Sequence, residues 1–354
     1  PPAPEAPRLT ITPSARADPA TSGTPAASAA PSQREPQQPK VAIARAPKSK
    51  LDVEARYQGV LGLFDEFGVE VLRPPEEAHH EGPGFYIARI IPGEGVKTSS
   101  IERLKDELKL KLGLEATQEP RSYIDRGAVV FEIPKRDEER YFVDTRALME
   151  RVSWPPDALY APIGEDINGD LVGVDFSSSD SPHLLIAGTT GSGKSIALES
   201  ILFSLVESKT PAELELFIVD PKGTELGEFE HYEHQRGVIG FDGEDAIEIL
   251  EQSVAEMQAR LKMFKKRRVR SLPEYNEGVE PQARIPWRLI VLDEYADLIS
   301  DKDERKEIEK LLQRLAQKAR SSGIHIILAT QKPSAEVLST VVRSNLPAQL
   351  ARRV

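Results

Sequence analysis

The 354-residue chain contains no cysteine. That excludes disulfide staples, thiolate metal sites and cysteine nucleophiles. No apolar run approaches the roughly 18 to 20 residues that span a bilayer, and the first residues lack the basic-then-apolar pattern of a secretory signal. Histidine is scarce, at six residues. Only His231 and His234 share an i,i+3 spacing, and no carboxylate motif accompanies them to make a metal site. Basic charge is in deficit, with 46 Lys and Arg against 57 Asp and Glu and a formal net charge of −11. Any binding of nucleic acid must therefore come from a local basic surface. At 39% apolar and 29% charged residues, the composition is that of a soluble globular protein long enough for two domains.

Residues 1–50 hold 11 of the 28 prolines and no aromatic side chain. With mostly Ala, Ser and Thr between them, this stretch cannot bury enough apolar surface to offset its ordering entropy, and it reads as a disordered linker. It carries about +4 charges, from residues such as Lys40, Arg45, Lys48 and Lys50. From Leu51 the pattern is globular. Val53, Tyr57, Val60, Leu61 and Phe64 mark a helical face ended by Gly68, and Val69–Leu72 and Phe85–Ile91 read as extended. Ser99 and Glu102 form a capping box that predicts a helix through Ile101, Leu104, Leu108 and Leu112, closed by Gly113. Ala128–Ile133 reads as a strand and Asn168-Gly169 as a hairpin turn. A small α/β domain is expected over residues 51–162, without a catalytic constellation.

Residues 163–354 alternate strand and helix. His183–Gly188, Leu214–Asp220, Leu289–Asp293, Ile324–Thr330 and Ala348–Val354 are near-continuous apolar runs of strand length, the signature of a parallel sheet buried on both faces. A long helix between them carries Ile247, Leu250, Val254, Met257, Leu261 and Phe264 on one stripe. The expected class is α/β, doubly wound. The last run reads as a strand still in progress, so the sequence is expected to be a fragment of a larger α/β domain.

Gly188-Thr189-Thr190-Gly191-Ser192-Gly193-Lys194-Ser195 is a complete G-x-x-x-x-G-K-[ST] phosphate loop. Its glycines let the backbone aim successive N–H groups inward, and the following helix adds its positive end. Lys194 then reaches the β- and γ-phosphates of ATP, and the Ser195 hydroxyl joins the Mg2+ shell. No third glycine follows Gly191 and Gly193 at the dinucleotide spacing. Ile290–Glu294 is the matching acidic strand: Asp293 faces the magnesium ion and Glu294 polarises the attacking water. Glu294 and the lack of an Asn-Lys-x-Asp reader separate the chain from GTPases. Gln331, at the end of Ile324–Thr330, is placed to sense the γ-phosphate. Lys262, Lys265, Lys266, Arg267, Arg268 and Arg270 form a basic run that reads as a solvated helix end or a nucleic-acid contact.

With these motifs in place, the sequence resembles the motor portion of the FtsK/SpoIIIE family of double-stranded DNA translocases. The resemblance is carried by Ser181–Ser195, Asp220-Pro221-Lys222, Glu256-Met257 with Arg260, Asp293–Leu298, Arg314–Arg320 and Gly323–Pro333. In the smaller domain Gly82–Gly84, Gly95–Lys97 and Glu132–Pro134 add to it. It implies a RecA-like P-loop ATPase domain stacked with the small domain in a homo-hexameric ring threaded by double-stranded DNA. It also implies Arg320 as an arginine finger acting on the neighbouring subunit, Arg314 as the lesser candidate, and Lys332 and Arg343 on loops facing DNA. A cytoplasmic motor is implied, with room for an inner-membrane tether outside this sequence. After Lys222 the chain lacks the Gly-Ile-Pro-His segment usual in cell-division members. The related alternatives are a secretion or conjugative-coupling ATPase and a defence-associated FtsK-like translocase.

Overall fold

The computed structural model describes residues 52–352, apart from residue 156 and residues 167–169. The linker expected over residues 1–50 and the Asn168-Gly169 turn lie outside the described residues. Helix α1 (Val53–Glu66) starts at Asp52, whose carboxylate accepts the Ala55 N–H, and Gly68 leaves it at φ 66°. Tyr57, Val60, Leu63 and Phe64 of α1 are buried against an antiparallel sheet of β1 (Val71–Leu72), β2 (His79–Glu81), β3 (Phe85–Pro92), β4 (Arg121–Asp125) and β5 (Ala128–Pro134). In that sheet β1 and β2 both pair with β3, and β5 lies between β3 and β4.

The single capped helix expected from Ser99 is corrected to two short ones, α2 (Thr98–Glu102) and α3 (Lys105–Lys111). Gly95, at φ 79°, and an extended Lys97 start α2 one residue before Ser99. The serine therefore lies inside the first turn, where its hydroxyl cannot act as the cap. The break at Leu104 still lets Ile101 and Leu108 reach the core under α1. Helix α4 (Thr145–Arg151), capped by Asp144, leads to the hairpin of β6 (Tyr160–Glu165) and β7 (Leu171–Asp175).

The second sheet has five parallel strands: β8 (His183–Ala187), β9 (Leu214–Val219), β10 (Trp287–Leu292), β11 (Ile324–Thr330) and β12 (Ala348–Ala351). Their spatial order is β12-β8-β11-β10-β9. Alternate residues enter two cores. Leu184, Ile186, Leu289, Val291 and Ile327 face α5 (Lys194–Ser208) and the β6–β7 hairpin. Leu185, Ile290, Leu292, Ile326 and Leu328 face α6 (Gly243–Arg267) and α9 (Lys302–Lys318). Burial on both faces is why β8, β9, β10 and β11 read as near-continuous apolar runs. The last run, expected as a buried strand over Ala348–Val354, is corrected to an edge strand, β12, with Gln349 and Ala351 exposed, because only β8 flanks it. Shorter helices α7 (Leu272–Glu277), α8 (Tyr295–Leu298) and α10 (Thr340–Ser344) complete the layers.

On α6 the expected stripe is buried at Leu250, Val254, Met257 and Phe264, while Ile247 and Leu261 are half-buried. Arg260 joins it at 1% exposure. Its Nε donates to Glu256 at 2.7 Å and its Nη1 to the carbonyls of Pro286 at 2.8 Å and Ser322 at 3.0 Å, so the buried charge is paired and hydrogen-bonded. Among the described residues no helix is long and apolar enough to cross a membrane.

Candidate nucleotide site

In the second sheet, the segments that follow β8, β9, β10 and β11 meet at the carboxyl edge, where ligands bind in open α/β sheets. After β8 the chain turns through Gly188–Gly193 and enters α5 at Lys194. Gly191 and Gly193 have φ of 77° and 87°, a region that a side chain strongly disfavours. A Cβ on Gly188 would also collide with the Ser192 hydroxyl. The loop is thus a tight, N–H-lined turn at the head of a 15-residue helix.

The chain brings the phosphate loop and the acidic strand into direct contact. The Lys194 ammonium donates to Asp293 Oδ1 in an ion pair that is almost wholly buried. Asp293 is held by its own N–H, bonded to the Val219 carbonyl at 2.9 Å. Burial pushes its carboxyl above the ordinary range, against the pull of Lys194. Its Oδ2 has no hydrogen-bond partner among the described residues.

Glu294 follows at φ 38° and ψ 58°, a left-handed conformation that costs a non-glycine residue on the order of 1 kcal/mol or more. Its Oε1 accepts the Gln331 N–H at 3.0 Å and the Thr330 hydroxyl at 3.4 Å, so the end of β11 holds the strained residue. Gln331 in turn accepts a 2.7 Å bond from the Thr190 hydroxyl of the phosphate loop.

Two further residues reach this cluster, and neither was singled out from the sequence as a site residue. Glu225 Oε2 accepts from the Ser195 hydroxyl and lies 3.5 Å from Lys194 Nζ. Burial acts to raise the Glu225 pKa, but the Ser195 hydroxyl and the nearby Lys194 and Lys222 outweigh it and hold the carboxyl below the ordinary range. Lys222 lies 3.5 Å from both Glu225 and Glu294. The signal of Lys222 and Glu225 in the sequence is the Asp220-Pro221-Lys222 motif, whose chemistry depends on a fold-back that spacing alone does not reveal. A third basic group, Arg352, lies over the loop: its backbone N–H bonds the Ala187 carbonyl at 2.7 Å, and its Nη2 is 2.9 Å from where a Cβ on Gly193 would stand.

Of the other sequence-derived residues, Lys332 adjoins this cluster, its N–H bonding the Thr330 hydroxyl oxygen at 3.1 Å, and the rest lie apart from it. Arg314 is exposed on α9, and Arg320 is exposed in the turn that enters β11, at the opposite end of that strand from Gln331. Lys332 is exposed just beyond β11. Arg343 is exposed on α10, a correction to its expected place on a loop, because the Ser339 side chain caps that helical turn. The basic run 262–270 covers the end of α6, where Arg267 stacks over Tyr275 at 5.5 Å.

The profile of the FtsK/SpoIIIE family matches residues 144–335, more than half of the chain and all of the cluster up to Gln331. The chain belongs to the FtsK/SpoIIIE family. It is a P-loop ATPase of that family. It is 32% identical over 311 residues to the DNA translocase FtsK of Staphylococcus aureus, covering 86% of this chain and 38% of that protein. It is 33% identical over 314 residues to the FtsK of Leptospira interrogans, covering 87% of this chain and 32% of that one. The chain thus spans well under half the length of these relatives. Among solved structures, the pCW3 conjugation coupling protein TcpA shares the fold at a TM-score of 0.53 and 19% identity, over 85% of this chain and 84% of that one. The second and third ATPases of EssC from Geobacillus thermodenitrificans align at a TM-score of 0.50 and 24% identity, over 57% and 38% of the two chains. These relatives are thus DNA translocases by name, and the structural neighbours include a conjugation coupling protein on the same α/β fold.

Proposed function

We propose that this chain is the ATP-hydrolysing portion of a motor that translocates double-stranded DNA, as in chromosome segregation or DNA transfer. The observation that carries the reading is the contact of Lys194 with Asp293, with strained Glu294 beside it, in a chain aligned over 86% of its length with a DNA translocase. The loop N–H groups of residues 188–195 and Lys194 bind the β- and γ-phosphates of ATP. Ser195 Oγ and Asp293 are the ligands for Mg2+. The buried, unpartnered Asp293 Oδ2 fits that role, and two protein oxygens suit an ion that takes its other ligands from phosphates and water. Bound there, the ion neutralises charge that develops on the phosphates.

Glu294 accepts the proton of the water that attacks the γ-phosphorus, the bond to the ADP oxygen breaks, and ADP and phosphate leave. Gln331, bonded to Thr190, registers the γ-phosphate at the loop. Arg320 is separated from Gln331 by the length of the seven-residue β11, roughly 20 Å at the usual rise per residue. It therefore serves a neighbouring subunit as an arginine finger, which calls for a ring, and the family resemblance points to a homo-hexamer. Lys332 and Arg343 contact DNA phosphates, which position the duplex without reading its sequence. A ring needs positive potential only along its lumen, which accommodates the net charge of −11. In this reading residues 1–50 are a linker, 51–162 a small domain stacked on the ATPase domain of 163–354, and the motor works in the cytoplasm with any inner-membrane tether outside this sequence.

The test is ATP hydrolysis by the purified protein with and without linear duplex DNA. Duplex DNA stimulates turnover, and Lys194→Ala abolishes it. Stimulation by a polypeptide substrate and not by duplex DNA would assign the chain to the secretion or coupling ATPases.

A further inference from the structure

Phosphate loops and acidic strands supply one lysine to the nucleotide, yet a second lysine stands in this cluster. Asp220, fully buried at the end of β9, accepts the N–H groups of Lys222 at 3.1 Å, Glu225 at 3.1 Å and Leu226 at 3.0 Å. These bonds fold residues 220–226 back toward α5 and β10. The Lys222 ammonium arrives 3.5 Å from Glu294 Oε2 and 3.5 Å from Glu225 Oε1. Burial acts to lower the Lys222 pKa, but Glu225 and Glu294 more than offset it, so the ammonium stays charged. The other oxygen of Glu294, Oε1, is held by the Gln331 N–H and the Thr330 hydroxyl. One end of the carboxylate is therefore fixed by β11, and the other is reached only by the loop after β9 among the described residues.

We propose that Lys222 is a positioning residue for hydrolysis, whose ammonium holds Oε2 of Glu294 in the orientation that receives the proton of the attacking water. The inference rests on Glu294 being the general base. Bonds to Oε1 alone leave the carboxylate free to rock about its own plane, and a misplacement of about 1 Å at a reacting group costs on the order of 100-fold in rate. A cation at Oε2 removes that freedom. Lys222 is suited to this because its side chain is only 35% exposed and its backbone is anchored by Asp220. Glu225 shares the same ammonium and the Ser195 hydroxyl, which ties the orientation of the base to the loop residue assigned to magnesium.

The experiment compares Lys222→Met, Lys222→Arg, Glu294→Gln and the double variant K222M/E294Q, by steady-state and single-turnover ATPase and by equilibrium binding of ATP. Lys222→Met lowers kcat by about 10- to 100-fold while the ATP Kd stays within about twofold, which also reports an intact fold. Lys222→Arg recovers most of the rate. In the Glu294→Gln background, Lys222→Met has no further effect, because the group it positions is gone. Wild-type kcat in Lys222→Met overturns the proposal. So does a loss in Kd at unchanged kcat, which would make Lys222 a phosphate ligand, or a full additional loss in the double variant. Wild-type turnover by Glu294→Gln removes the base assignment, and the proposal falls with it; an inactive Glu294→Gln beside a fully active Lys222→Met sinks this proposal alone.

Discussion

The Thr190 hydroxyl donates a 2.7 Å hydrogen bond to the side-chain oxygen of Gln331, joining the phosphate loop to the end of β11 across 141 residues of sequence. The same Gln331 gives its backbone N–H to Glu294, so one residue touches both the loop and the acidic pair. Replacing its side chain cuts the first link and leaves the second. Gln331→Ala should therefore lower DNA-stimulated turnover by about tenfold or more while ATP affinity stays within about threefold. Steady-state kinetics beside nucleotide titration will show this, and a pure loss of affinity would make Gln331 an ordinary phosphate contact.

Arg320 lies a strand length from the nucleotide loop of its own chain, so its effect should appear in the neighbour. Adding Arg320→Ala subunits to wild-type protein is expected to depress activity more steeply than the fraction of variant added. A straight line against that fraction would show that Arg320 acts only within its own chain or not at all.

Arg352 lies over the loop from the β12 side, and no carboxylate among the described residues forms an ion pair with it. A charge-assisted hydrogen bond to phosphate is worth roughly 1.5 to 3 kcal/mol. Arg352→Met, which keeps the aliphatic stem, should weaken ADP binding at least about tenfold, and Arg352→Lys should lose less. Equal affinities for the Met variant and the wild type would reduce Arg352 to packing over Gly193.

His183 and His325 form a buried pair at the opposite, amino-terminal edge of the same sheet, with ring centroids 6.2 Å apart. The His325 Nδ1–H donates to the Pro182 carbonyl at 2.8 Å, and His183 Nδ1 accepts the Ile326 N–H at 3.2 Å, which requires a neutral His183 ring. Burial lowers their pKa values from 6.5 to about 4 for His183 and about 3 for His325. The folded state thus binds fewer protons than the unfolded state below pH 6.5. Their stabilising contribution is complete above that value and declines as pH falls toward 4 and then 3, by at most ~1.4 kcal/mol per pH unit for each ring. Urea melts at pH 7.5, 6 and 5 should show falling stability. Asparagine mimics Nδ1 at either position and does not titrate, so His183→Asn with His325→Asn should flatten that fall; an unchanged slope would count against the pair as its cause.

Strands β8 to β11 were legible because each is buried on both faces and so reads as an apolar run, and the phosphate loop because its glycines have no substitute; β12, an edge strand with Gln349 exposed, was legible only in outline. Strands β2 and β4 were not legible. His79–Glu81 and Arg121–Asp125 hold few residues that need burial, and they form because β3 and β5 offer them free edges. The α2–α3 break was hidden by an apolar spacing that fits one helix or two. Within the site, Lys194, Asp293 and Glu294 were readable from spacing, whereas Glu225 and Lys222 enter only because buried Asp220 folds the chain back by three backbone bonds. Arg260 carried the resemblance in the sequence, but its burial beside the apolar stripe of α6 depends on carbonyls of Pro286 and Ser322 that lie far away along the chain.

That arginine has a mechanical consequence. Its guanidinium clasps the carbonyls preceding β10 and β11, at Pro286 and Ser322, and Ser322 belongs to the same tight turn as Arg320. A push or tilt along the 25-residue α6 is therefore handed to the base of both strands, and Arg320 projects from a braced mount instead of a slack one. Lysine at position 260 lacks the planar fork that spans Glu256 and both carbonyls together, and the mount would loosen while the nucleotide pocket at the far edge kept its shape.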